Sequence, residues 1–144
     1  MELLNVARVP AMLVTPDMTV SDAVSLMVSN NVGSVVVANA ENRVLGIFTE
    51  RDNLIRVTNN GLDPARTYIA EVMTAPVDTV LPDTTVEDAL SQMIRRRYRH
   101  LPIVDSTERI LGIVSLRYLL MRRISEKQAS LDVLQAYVTA GGPG

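Results

Sequence analysis

The chain contains no cysteine, so disulfide bonds and thiolate chemistry are excluded, and redox usage gives no reading of compartment. It has a single histidine, His100, which rules out most catalytic sets that depend on histidine. Only 3% of the residues are aromatic against 47% hydrophobic, so the core has to be built from Val, Ile, Leu, Met and Ala. No apolar run approaches the roughly 20 residues of a membrane span. The opening Met-Glu-Leu-Leu-Asn-Val lacks the basic and long apolar regions of a secretory signal, so a cytoplasmic soluble protein is expected. A formal net charge of −2 argues against bulk electrostatic binding to nucleic acid or to an anionic membrane. A Walker-type phosphate loop, His/Cys metal spacing and a nucleophile with its base and orienting partner are all missing. The expectation is therefore a protein that is not an enzyme, with no catalytic residue, no metal ligand and no required cofactor.

What the chain does have is an internal repeat. Thr15–Val57 aligns with Leu81–Arg123 at a constant offset of 66 residues without a gap, and 15 of the 43 positions are identical. They include Pro16/Pro82, Asp17/Asp83, Thr19/Thr85, Asp22/Asp88, Gly46/Gly112, Ile47/Ile113 and Arg51/Arg117. A repeat sets the architecture before anything else is read. The whole chain of 144 residues is one domain's worth of protein. Each copy is too small to be comfortably stable alone, so two copies sharing a core about a pseudo-twofold axis are expected. The division expected is 1–62 for copy one, 63–123 for copy two including a linker over 63–74, and 124–144 for a C-terminal helical extension with a frayed end.

Each copy reads as strand, helix, strand, strand, helix, a mixed α/β (α+β) pattern. In copy one the spacing predicts a strand over Ala11–Val14, a helix capped by Thr19 with Asp22 three residues on, strands over Ser34–Ala38 and Val44–Thr49, and a helix over Glu50–Asn60 ended by Gly61. Copy two predicts strands over Val77–Val80, Leu101–Val104 and Arg109–Ser115, a helix capped by Thr85 and a last helix from Leu116. A short helix is expected around Ile69–Met73, and Glu2–Arg8 are expected to play the matching role for copy one. In the tail, Leu120, Ile124, Leu131, Leu134 and Val138 recur at near-heptad spacing, with Lys127 in an interior slot. Two readings stay open there: a helix lying on its own domain or a dimer-forming helix pair.

Two stretches could carry chemistry. Gly46-Ile47-Phe48-Thr49-Glu50-Arg51-Asp52 puts Thr49 at a strand-to-helix junction and Asp52 in the first helical turn. The pair can be a helix cap and nothing more. It can also meet a ribose, with the carboxylate accepting from the 2′,3′-diol and the Thr hydroxyl bonding the same sugar. The second stretch is Arg95-Arg96-Arg97-Tyr98-Arg99-His100. Arg95–Arg97 read as a solvated helix end. Arg99 and His100 stand just before a strand, where a guanidinium beside an imidazole makes a phosphate clamp.

The Pro-Asp-x-Thr-Val-x-Asp-Ala element of both copies, followed by Leu101-Pro102-Ile103-Val104-Asp105 and Leu111-Gly112-Ile113-Val114-Ser115, resembles the cystathionine-β-synthase (CBS) domain. The two copies resemble a tandem CBS pair, or Bateman module. The resemblance implies two β-α-β-β-α repeats packed through their sheets with pseudo-twofold symmetry, commonly as a homodimer. It also implies adenine nucleotides (AMP, ADP or ATP) as regulatory ligands, with S-adenosylmethionine or an NAD-type ligand as alternatives. On the family's Gly-h-h-Thr/Ser-x-x-Asp motif, Thr49 and Asp52 would hold the ribose, with Ile47 and Pro102 at the adenine. Arg99, His100 and Arg117 would hold the phosphate. The other copy has Ser115 but places Tyr118 at the Asp position, and its phosphate positions are Gly33 and Ser34 with only Arg51 basic. One nucleotide per chain is therefore expected, signalling to an unidentified regulated partner through Glu50/Arg51 and the tail helix. A constitutive dimerisation or interaction module with vestigial clefts is the rival expectation.

Overall fold

The two threonines expected as helix caps do cap. In the computed structural model, which describes residues 2–126 and Val138, Thr19 Oγ1 accepts the Asp22 amide at 3.2 Å and Thr85 Oγ1 the Asp88 amide at 3.0 Å. Each satisfies an amide that a helix start leaves without an intrahelical partner. The helices run Val20–Asn30 (α1) and Val86–Arg96 (α4). Both stop on a left-handed residue, Asn31 at φ 52° and Arg97 at φ 62°.

The chain divides into two compact units. One comprises Pro10–Asp78 with Val104–Leu111. Its sheet has the order β1-β2-β3, with β1 at Leu13–Val14, β2 at Ser34–Ala38 and β3 at Val44–Thr49. β2 is a β-branched run buried along its whole length, as suits a central strand covered on both faces. It pairs antiparallel with β3, setting Val35 opposite Phe48, and parallel with β1. The turn between β2 and β3 is made by Asn39, whose Oδ1 accepts the amides of Glu41 and Arg43 at 3.0 Å each. Val14, Val20, Ala23, Met27, Val35, Val37, Phe48, Val57, Ile69 and Val72 form the core. The helix expected over Glu50–Asn60 starts on register as Glu50–Asp52 (α2) and then widens into a π-helical turn over Asn53–Thr58. The link to copy two docks on α1: the carbonyls of Thr67 and Pro64 accept the Val20 and Ser21 amides at 2.9 Å each. The short helix α3 follows at Ile69–Val72.

The second unit comprises Met1–Val9, Thr79–Ile103 and Gly112–Gly144. It holds a 3₁₀ turn at Leu3–Val6, α4, α5 (Leu116–Glu126) and most of the paired strands β4 (His100–Val104) and β5 (Ile110–Ser115), whose joined ends over Val104–Leu111 belong to the first unit. Leu3, Val6, Ala89, Met93, Leu101, Ile103, Val114, Leu119 and Ile124 are buried. The strand expected over Val77–Val80 is not formed. It reduces to one parallel bridge, Val80 with Ile103, in which the Val80 amide reaches the Pro102 carbonyl at 3.0 Å. Pro102 has no N–H to carry that ladder further. The equivalent residue in copy one, Val36, donates its amide to Met12 at 2.9 Å, and there the strand forms. Ile124 turns the start of the tail pattern inward, and an Arg123–Glu87 ion pair ties α5 to α4. Lys127, Leu131, Leu134 and the expected frayed end lie outside the described residues. Among the described residues no helix is long and apolar enough to cross a membrane.

The two short lead segments answer each other across the repeat. Thr74 exchanges backbone hydrogen bonds with Ile47 of β3 (3.0 and 2.8 Å), and Arg8 does the same with Ile113 of β5 (2.9 and 3.1 Å). The segment preceding copy two thus completes the sheet edge of copy one, and the segment preceding copy one completes that of copy two. This crossing explains the repeated glycine. A Cβ on Gly46 would stand 2.6 Å from the Thr74 carbonyl oxygen, and one on Gly112 2.8 Å from that of Arg8. Neither neighbour is a flexible side-chain end, so the backbone itself would have to move. Gly46→Ala is expected to destabilise the fold by about 1–3 kcal/mol through overpacking. Chemical denaturation checks this; an unchanged midpoint would show that the edge gives way freely.

Candidate functional site

Thr49 ends β3 in extended conformation and Asp52 closes the first turn of α2. The two make a reciprocal capping box. Asp52 N–H donates to Thr49 Oγ1 at 3.1 Å, and Thr49 N–H donates to Asp52 Oδ2 at 3.0 Å. The bland reading of this pair is thereby realised as geometry. The carboxylate has further partners. Its Oδ1 accepts the Thr74 hydroxyl at 3.0 Å and lies 3.7 Å from Arg56 Nε. Asp52 is 9% exposed, so a carboxyl group at the edge of the core is met by two donors and one cation. Thr74 and Arg56 were invisible to the motif because they lie outside it. Ile47 is buried, two residues before Thr49, and its backbone is committed to the Thr74 crossing. Successive strand residues alternate in direction, so Phe48 enters the core cluster while Ile47 does not.

Arg99, His100, Pro102 and Arg117 all lie in the other unit. The Arg99 carbonyl accepts the Leu116 amide at 2.8 Å. This bond brings the start of β4 to the start of α5 and sets the exposed Arg99 near the exposed Arg117. An arginine joined by its backbone to the start of an eleven-residue helix, and a second in that helix's first turn, give a setting that favours an anion. His100 opens β4, half-buried. Burial pulls its imidazole down to about 4, and the Arg99 charge adds to the effect. At neutral pH the ring is therefore a neutral hydrogen-bonding group, and the positive charge at this point comes from the arginines. Pro102 is buried in β4.

The corresponding positions 66 residues away keep the backbone and lose the chemistry. The Gly33 carbonyl accepts the Glu50 amide at 3.0 Å, the same bond Arg99 makes, but Gly33 brings no cation and Ser34 is buried. Ser115 Oγ accepts the Tyr118 amide at 3.1 Å, which is half of a capping box. Tyr118 is 48% exposed and supplies no carboxylate. Arg51 is exposed. Among the described residues no cluster of three or more His, Asp or Glu side chains could hold a metal ion.

The CBS-domain family model matches residues 5–52 and 69–125, the two copies. An uncharacterised 17.7 kDa protein of Acidianus ambivalens is 41% identical over 114 residues, which make up 78% of this chain and 67% of that one. An uncharacterised protein of Methanopyrus kandleri is 35% identical over 116 residues, covering 81% of this chain and 59% of its own length. Among solved structures, the CBS domain pair of protein MJ0100, in complex with 5′-methylthioadenosine and S-adenosyl-L-methionine, is similar with a TM-score of 0.80. That likeness covers 88% of this chain and 98% of the other at 20% identity, and it speaks to the fold. With both copies matched by the family model and the same backbone crossing repeated at Gly46 and Gly112, the chain belongs to the CBS-domain family.

Proposed function

We propose that this chain binds one adenine nucleotide and reports its presence to a partner protein, the regulatory form being a homodimer. Thr49 and Asp52 take the ribose diol, with Ile47 and Pro102 toward the base. Arg99 and Arg117 take the phosphate by charge, and His100 takes it as a neutral hydrogen-bonding group. The observation that carries this reading is the asymmetry of two otherwise equivalent junctions. Thr49-x-x-Asp52 keeps its carboxylate where Ser115-x-x-Tyr118 has none, and the cation of Arg99 has no counterpart at Gly33, while Arg117 is matched by Arg51. The MJ0100 pair was solved with 5′-methylthioadenosine and S-adenosyl-L-methionine, and S-adenosylmethionine is therefore titrated beside AMP. The bound ligand signals by its differential affinity for two arrangements of the protein.

Isothermal titration with AMP, ADP, ATP, S-adenosylmethionine and NADH tests this. One saturable site per chain is expected. Asp52→Ala should weaken binding about 10- to 100-fold, the loss of a charged hydrogen-bond partner being worth roughly 1.5–3 kcal/mol. A double-mutant cycle between Asp52→Ala and Arg99→Ala asks whether ribose and phosphate residues serve the same molecule. A second reading is favoured by the closed capping box. If both Asp52 oxygens serve the fold, the chain is a constitutive interaction module. No binding by any of the five ligands would decide for that reading.

A further inference from the structure

We propose that Thr74 is a positioning residue for the Asp52 carboxylate and thereby sets the preference for a cis-diol. This rests on the reading that Asp52 receives the ribose. A carboxylate offers about four lone-pair positions. The fold uses one on each oxygen: Oδ2 for the Thr49 amide at 3.0 Å and Oδ1 for the Thr74 hydroxyl at 3.0 Å. One position therefore remains on each oxygen, and a 2′,3′-diol brings two O–H donors side by side. The match holds only while the carboxylate plane is fixed. The terminal torsion of an aspartate is broad, with no sharp well of its own, so the single anchor at Oδ2 leaves the plane free to turn. Thr74 supplies the second anchor. Arg56 supports it from the same side, its Nε 3.7 Å from Oδ1 and its Nη1 donating to the Met73 carbonyl at 2.8 Å. The guanidinium thus bridges the carboxylate to the residue before Thr74. Fixing both oxygens in advance removes an ordering cost from binding.

The other copy supplies an independent observation. Arg8 stands where Thr74 does, and Tyr118 where Asp52 does. The backbone crossing persists there, with Arg8 paired to Ile113 at 2.9 and 3.1 Å, and Gly112 still makes room for it. The crossing therefore has no need of a hydroxyl. Where the carboxylate is missing the hydroxyl is missing too, as expected if the two act as one device.

The test is calorimetric titration of the full chain with AMP and with 2′,3′-dideoxyadenosine monophosphate, for wild type, Thr74→Val and Thr74→Ser. Wild type is expected to prefer AMP at least tenfold. Thr74→Val should lose about tenfold toward AMP and nothing toward the dideoxy compound, so the preference collapses, and Thr74→Ser should restore it. Thr74→Ala carries the same expectation and stands in should the valine variant not fold. A wild-type preference that survives in Thr74→Val overturns the proposal and leaves the diol reading intact. Equal weakening toward both ligands marks a purely structural role and also overturns it. A wild type that binds neither ligand, or both equally, overturns the diol reading and the proposal together.

Discussion

Replacing Phe48 with alanine is expected to cost about 3–5 kcal/mol, the range for emptying a buried phenylalanine site. Phe48 is the only phenylalanine in the chain and is 0% exposed. It faces Val35 across the β2–β3 pair and shares a core with Met27 and with Val14, Val20 and Val57, and these short branched side chains cannot stretch to fill a ring-sized hole. The equivalent residue of copy two is Val114, so the two copies balance their cores differently and the ring is a specific commitment of copy one. Urea denaturation reads the effect. With slopes of roughly 1–3 kcal/mol/M for small proteins, the midpoint should fall by more than about 1 M. Because Thr49 follows directly, the proposed nucleotide binding should also weaken in a folded Phe48→Ala protein. A midpoint within a few tenths molar of wild type would contradict the packing described here.

Acid should destabilise the fold through His100. Its folded imidazole titrates near 4 because burial, and then the Arg99 charge, disfavour the proton. In the unfolded chain the ring returns to about 6.5. The folded pKa is the lower of the two, so between these values the unfolded state binds more protons and stability rises with pH. The contribution is constant above about 6.5, declines as pH falls through that value, and reaches a loss of about 3 kcal/mol by pH 4. Carboxylates titrate in the same window, so the quantity to measure is the difference between wild type and His100→Gln. That difference should shift against wild type steadily from pH 7 to pH 4. A flat difference would mean that the ring is solvated in the folded protein.

Much of this was legible in the residues, for local reasons. Thr19 with Asp22 and Thr85 with Asp88 are caps closed within three residues, and the limits of β2 and β3 follow the valine run, the Asn39 turn and the Thr49 junction. The features that were not legible depend on partners distant in sequence. The strand expected at Val77–Val80 has the same local pattern as the one expected at Ala11–Val14, but whether a strand propagates is decided by its neighbour, and Pro102 lacks the amide that Val36 provides. The widening of the helix at Asn53–Thr58 has no local signature. Asp52 and Thr49 were found as a motif, but Thr74 and Arg56, which hold the carboxylate from outside it, could be found only once the chain was folded. His100 was recognised as a candidate, while its neutral state is a property of burial that composition cannot express.

The exchanged lead segments have a consequence for the order in which the protein is made. Ile47 and Thr74 are fewer than thirty residues apart, whereas Arg8 and Ile113 are separated by more than one hundred. At roughly 5–20 residues per second of synthesis, Arg8 is made on the order of 5–20 s before the strand residue it will pair with. The longer loop also costs about 1 kcal/mol more to close. The structural symmetry of the two crossings thus conceals a temporal asymmetry: one can close soon after its first partner is made, and the other has to wait for the whole of copy one and most of copy two.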